Sequence, residues 1–174
     1  MPAGEKAVRF EQALLPHLDA AFNLARWLTR NSQDAEDVVQ EAYLRALTFF
    51  DSFHGEDGRA WLLAIVRNTC YTWLRTNRPA HLKEGLDEEH HQAESNAPDP
   101  EMLQIGSADR EMIHKALEEL PAEYREILVL REMEGLTYKQ IADIIGTPLG
   151  TVMSRLARAR KRLSSLLRPR GSGA

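Results

Sequence analysis

The sequence predicts an all-α protein made of two small helical domains joined by a flexible acidic linker. Three observations carry this. Apolar residues recur at helical spacing along most of the 174 residues. The recurrence collapses once, from Asn77 to about Ser107, and that interval is rich in acids and prolines with little apolar content. A chain of this length, 43% hydrophobic, can fold as one domain or two, and the interruption decides for two. The expected boundaries are residues 1–76, a linker over 77–107, and residues 108–174.

In the first domain, Phe10 to about Arg30 carries one amphipathic stripe: Ala13, Leu14, Leu18, Ala21, Phe22, Ala25 and Leu28. A second helix, Gln33 to Phe50, buries Ala35, Val38, Val39, Ala42, Ala46 and Phe49. Its Leu44 projects the opposite way, among Asp37, Gln40, Glu41 and Thr48. One exposed leucine is ordinary, and an apolar residue ringed by acids and an amide is also what a protein-docking surface presents. The residues alone leave both readings open.

The third helix, Arg59 to about Thr76, turns Leu62, Leu63, Val66, Cys70, Trp73 and Leu74 inward. Arg67, Asn68, Tyr71, Arg75 and Arg78 line its outer side, with small Ala60 and Ala64 between. Basic side chains interleaved with an aromatic suit phosphates and unstacked bases, whereas Trp61 is expected to cover the core. The loop "FDSFHGEDGRA" before this helix is either a connector or a place to hold a base rotated out of a duplex.

Beyond the linker, helical periodicity runs from Ala108 to about Leu167, with Pro121 opening a helix and Gly135 and Gly146 marking breaks. Thr137 and Gln140 have the spacing of a capping box, which starts a helix at Tyr138 and carries it to Gly146. Thr147 is expected to cap the next helix, with Pro148 in its first turn. Leu149, Val152, Leu156, Ala159, Leu163 and Leu167 form its inner stripe. Gly150, Ser154, Ala157, Arg158 and Lys161 lie opposite, flanked by Thr151, Arg155 and Arg162 on one side and Met153 and Arg160 on the other. Short side chains between long basic ones let a backbone approach a groove while arginine reaches bases or phosphates. This is the layout of a helix-turn-helix with its recognition helix second. A solvated basic face on a plain hairpin is the competing reading; the capped break, the short turn and the lack of any acid after Asp143 weigh against it.

Composition narrows the classes. The net charge of −4 excludes a general nucleic-acid coat, so DNA contact must come from local charge. One cysteine, Cys70, permits no internal disulfide framework and no thiolate cluster, which suits a reducing cytosol. No apolar run approaches the ~20 residues of a membrane span and no signal peptide is visible, so a cytoplasmic protein with no membrane insertion of its own is expected. His54, Glu56 and Asp57, and the pair His90 and His91, lack a metal-ligand spacing. No metal, cofactor or catalytic role is expected.

Taken together, "DAEDVVQEAYLRAL", "WLLAIVRNTCYTWLR", the acidic linker and "LPAEYREILVLREMEGLTYKQIADIIGTPLGTVMSRLARARKRL" resemble bacterial extracytoplasmic-function sigma factors of the sigma-70 family, over almost the whole chain. The resemblance implies region two over about Phe10 to Thr76 and region four over about Ala108 to Leu167. It implies docking on RNA polymerase core, at the clamp coiled coil of the largest subunit through Asp37, Gln40, Glu41 and Leu44, with the flap as a second contact. It implies minus-ten recognition and melting by the Asp51–Gly58 loop and Arg67, Asn68, Tyr71 and Arg75. Reading of the minus-thirty-five element falls to Met153, Ser154, Ala157 and Arg158, with Arg155, Lys161 and Arg162 nearer the backbone. The linker resembles those that thread toward the polymerase channels, and an anti-sigma factor is an expected partner. Met153 departs from the family pattern, where a basic residue is frequent, as does Ala157, where a larger one is. The free chain is expected to bind promoter duplex poorly, its two modules being loosely tethered. The alternatives are a stand-alone helix-turn-helix regulator on an operator, with residues 10–76 as a sensing domain, and an enzyme.

Overall fold

The computed structural model describes residues 3–55, 57–77 and 107–168, and among these residues proline, glycine and capping side chains set off eight α-helices. Of the expected linker over 77–107, Asn77 ends α4 and Ser107 opens α5, and the positions between lie outside the described residues, as do Glu56, His90 and His91. The helices are α1 (Ala3–Leu14), α2 (Leu18–Thr29), α3 (Ser32–Thr48), α4 (Gly58–Asn77), α5 (Ser107–Glu119), α6 (Ala122–Leu128), α7 (Tyr138–Ile145) and α8 (Leu149–Leu167). Among the described residues there is no strand, and no helix is long and apolar enough to cross a membrane.

The expected single stripe from Phe10 to Arg30 is two helices. Pro16, which lacks an N–H and crowds the preceding turn, sits in a 3-10 turn at Leu15–His17 that separates α1 from α2, and Leu18 is left exposed. Helix α2 ends with Arg30 in the left-handed region at φ 63°. Asn31 then caps α3 by accepting from the Asp34 N–H at 2.9 Å. Helices α2, α3 and α4 pack mutually around Leu24, Leu28, Val38, Leu62, Leu63 and Val66. Each large aliphatic side chain fully buried there contributes about 1.5–3 kcal/mol.

Phe49, expected in the core, is 59% exposed. Helix α3 stops at Thr48 and the chain tightens into a 3-10 turn at Phe50–Ser52, so Phe50 turns inward instead. Its ring meets Phe10 edge-on at 5.4 Å, and Trp61 covers the same cluster at 6.3 Å, as the sequence suggested for that tryptophan.

In the second module the capping box forms: Gln140 N–H donates to Thr137 Oγ1 at 3.0 Å, and Thr137 N–H donates to Gln140 Oε1 at 2.8 Å. Gly146, at φ 71°, ends α7. The next cap falls one residue later than expected: Pro148 is the N-cap of α8, with no side-chain bond from Thr147 to a helix N–H. Leu149 is 48% exposed rather than inner. Helix α8 packs on α5, α6 and α7, and of its expected stripe only Val152, Leu156 and Ala159 are fully buried.

The two modules, expected to be loosely tethered, pack on each other in the structure, α2 on α6 and α4 on α7, within one continuous apolar cluster. Polar side chains finish the seam. Arg125, fully buried, donates from Nε to the Trp27 carbonyl at 2.7 Å and from Nη1 to the Leu120 carbonyl at 2.6 Å.

Candidate nucleic-acid interface

Helix α8 presents an open face. Met153, Ser154, Ala157, Arg158, Lys161 and Arg162 are exposed and Arg155 is half-buried. The rotation of that face is fixed by Val152, Leu156 and Ala159 beneath it, and by Arg160. The Arg160 guanidinium donates from Nε and Nη2 to Glu132 Oε2, at 3.0 and 2.7 Å. That grip on both sides sets seven candidate DNA-facing side chains on one rigid helix.

Helix α3 places Asp37, Gln40, Glu41 and Leu44 on its exposed side, with Leu44 63% exposed. Arg45 pairs with Glu41 at 3.1 Å, which lowers the negative charge at one edge of the ring. Leu47 and Phe49 are exposed as well, so the apolar surface continues beyond Leu44 toward the helix end. The sequence reading missed this extension because the stripe rule carried Phe49 one residue too far into α3.

The third set divides. Asn68 and Arg75 face solvent at the surface of α4. Arg67 and Tyr71 do not, which corrects the expectation of an open outer face. Arg67 donates from Nε to Glu126 Oε1 at 2.8 Å and from Nη2 to Oε2 at 3.2 Å, and the Tyr71 hydroxyl donates to Oε2 at 3.2 Å. The guanidinium lies 4.3 Å from the Tyr71 ring centre. Glu126 is 0% exposed. Burial pushes its carboxyl above the ordinary range, and the Arg67 and Tyr71 contacts offset this only in part. Burial also works against the Arg67 charge, but the hydrogen bond and charge of Glu126 outweigh it. Tyr71 is pushed up by burial beside that carboxylate.

Glu126 and Arg125 were missed entirely. The available signal was "REILVL", in which all six positions are buried; a helical run buried all round cannot hold two charges unless each meets a partner.

The loop before α4 is held rather than loose. Asp57 Oδ1 accepts from the Ala60 N–H at 3.0 Å, capping α4, and Oδ2 accepts from Gln140 Nε2 at 2.9 Å. Asp57 thus serves as a cap and a cross-link. Cys70 is buried and its thiol is pushed up by burial, an environment that suppresses thiolate chemistry. No group of three or more metal-ligating side chains converges among the described residues.

With this geometry, the likeness to known proteins is specific. Residues 14–79 match the family model described as Sigma-70 region 2, and residues 110–163 match that described as Sigma-70, region 4. The "ECF RNA polymerase sigma factor SigE" of Mycolicibacterium smegmatis is 32% identical over 167 residues, 96% of this chain and 62% of that protein. The "ECF RNA polymerase sigma-E factor" of Escherichia coli K12 is 34% identical over 145 residues, 79% of this chain and 76% of that one. The fold matches the sigma factor RpoE solved with the anti-sigma factor NepR from Bartonella quintana, at TM-score 0.74 and 34% identity, over 91% of this chain and 96% of that one. It also matches CnrH, solved with the cytosolic domain of CnrY, at TM-score 0.64 and 26% identity, over 91% and 86% of the two chains.

Proposed function

The chain belongs to the extracytoplasmic-function sigma factors of the sigma-70 family, and on that footing we propose that it binds RNA polymerase core, directs it to promoters and opens the DNA there. The α3 face of Asp37, Gln40, Glu41 and Leu44 docks on the clamp of the largest subunit, its exposed leucine seated and its acids at the rim. On α4, Arg67, Asn68, Tyr71 and Arg75 take the minus-ten element, cations on phosphates and the aromatic ring against an unstacked base. On α8, Met153, Ser154, Ala157 and Arg158 read the minus-thirty-five element, while Arg155, Lys161 and Arg162 meet the backbone.

The chain makes and breaks no bonds in this scheme; nucleotide chemistry belongs to polymerase. It acts in the cytoplasm, where core enzyme and chromosome are, and an anti-sigma factor is its expected antagonist, as NepR is the partner of the Bartonella quintana structure. The observation that carries the reading is α8, a helix with an acid-free open face that follows the capped helix α7 across a short turn, on a chain whose other half exposes an acid-ringed leucine. A stand-alone operator binder gives that second surface no task.

Run-off transcription from a genomic fragment library with purified Escherichia coli core polymerase tests the proposal. Defined promoters, transcribed only when the chain is added, are expected, and no enriched promoter would refute it. On such a promoter Arg158→Ala is expected to lower output roughly tenfold, from ~1–3 kcal/mol of lost base contact, with core binding intact.

A further inference from the structure

The open face of α8 is not uniformly basic. Leu149, Met153 and Ala157 follow one another at i, i+4 and i+8, and at ~100° per residue they line up as one ridge along the first turns of the helix. Leu149 is 48% and Met153 50% exposed, and Ala157 is exposed as well. Thr151, Arg155, Arg158 and Arg162 form a second, basic ridge on the far flank. Between the two run Gly150 and Ser154, too short to reach far from the backbone: the space over Gly150 is open, and the Ser154 hydroxyl folds back to donate to the Thr151 carbonyl at 3.3 Å. Arg160 returns to the angle of the apolar ridge two turns after Met153, but its guanidinium is held by Glu132.

Single exposed apolar residues are ordinary. Two large ones and an alanine in register are a surface, and this one lies at the N-terminal end of a recognition helix, the part that meets base edges. Phosphates and the carbonyl and amino groups of bases gain nothing from a leucine or a methionine. The major groove offers one apolar group, the C5-methyl of thymine. We propose that Leu149, Met153 and Ala157 form a thymine-reading ridge, so that the minus-thirty-five element of this chain's promoters presents thymine methyl groups to the first turns of α8. The inference rests on the promoter reading of α8, and it adds to that reading Leu149 and the chemistry the ridge selects.

The fold holds the ridge in place without using it. Leu149 and Met153 are outside the buried cluster, whereas Val152, Leu156 and Ala159 pin the helix from below and fix which way the ridge faces. The two large side chains differ in stiffness. Leu149 directly follows the N-cap, Pro148, so its backbone is set at the helix entrance, while Met153 is unbranched and polarizable and adapts to the shape it meets. The two ridges then read different features of one groove. Arg158 suits the paired acceptors of guanine, and basic contacts to phosphate carry no sequence information. A cytosine beneath the apolar ridge offers an amino group and no methyl, so the ridge favours thymine over cytosine at the pyrimidines it covers.

The test uses the full chain with Escherichia coli core polymerase on a promoter enriched from the genomic fragment library. That promoter is rebuilt as a synthetic duplex in which each thymidine of the upstream element, one at a time, is replaced by deoxyuridine. Uracil pairs with adenine as thymine does and lacks only the C5-methyl. For the unchanged chain at least one replacement is expected to lower run-off output about fourfold, the effect of burying one carbon of this size. In Met153→Ala or Leu149→Ala that loss is expected to disappear, the thymidine and deoxyuridine templates giving equal output. Arg158→Ala, on the basic ridge, is expected to lower both templates alike and keep the fourfold ratio. Each comparison is a ratio of two templates for one protein, so a variant's folded fraction cancels. Equal output from every deoxyuridine template with the unchanged chain overturns the ridge, as does a ratio that persists in both ridge variants, or an upstream element without thymine. A library with no enriched promoter refutes the promoter reading itself, on templates whose thymines are intact, so the two failures are told apart.

Discussion

Gly58 opens α4 where that helix meets the end of α1, and a Cβ there would stand 2.6 Å from the Ala13 carbonyl oxygen. Both parties are backbone, so no side chain can swing away. Gly58→Ala is expected to destabilise the chain by about 1–3 kcal/mol, read as a lower urea midpoint at unchanged slope; a midpoint equal to wild type would contradict the contact. This need was hidden in the sequence, where "EDGRA" reads equally well as a loop glycine. Glu126 was hidden for a different reason. Its meaning depends on Arg67, fifty-nine positions away, and periodicity reports which side of a helix is buried without saying what lies across it. Local chemistry, by contrast, was legible: Thr137 and Gln140 form the box their spacing predicts.

Helices α3 and α8 bear the same lesson in elements. Their inner stripes were readable because 3.6-residue periodicity is a local property, and the buried sets Ala35, Val38, Val39, Ala42, Ala46 and Val152, Leu156, Ala159 follow it. The misreadings, Phe49 and Leu149, fall at helix ends, where the point at which the helix starts or stops decides burial. Exposure of Leu44 makes α3 separable from the fold. Because the side chain is 63% exposed and away from the core stripe, Leu44→Asp is expected to leave the thermal midpoint nearly unchanged. In a pull-down with core polymerase it is expected to lose at least ~2 kcal/mol of affinity, as for a central apolar anchor. Full retention of core by the variant would remove α3 as the docking helix, and a collapse of the midpoint would mean Leu44 is part of the core.

Across the molecule, packing couples ionisable groups of the two modules, and the stability of the fold so acquires a pH dependence. Burial alone would raise the carboxyls of Asp57 and Glu118, yet both are held below their ordinary values of 3.8 and 4.5. For Asp57 the opposing causes are the Ala60 N–H, the Gln140 amide and the charges of Arg59 and His17. For Glu118 they are the hydrogen bond and charge of His114, then Arg30 and Arg125. Each set draws on both modules. A carboxyl depressed in the folded chain contributes stability that is complete above its ordinary value and lost as pH falls through its depressed one. Glu126 has the opposite sign: its carboxyl is raised, so the folded chain takes up a proton there and acid does not weaken that seat through linkage. The acid limb therefore belongs to Asp57 and Glu118. The urea midpoint is expected to hold from neutral pH to about pH 5 and to fall below about pH 4. Asp57→Asn, which keeps an acceptor but cannot titrate, is expected to make that fall shallower. A fall of the midpoint beginning near pH ~6.5, the ordinary histidine range, would instead assign the coupling to a histidine and contradict the role of the two carboxylates.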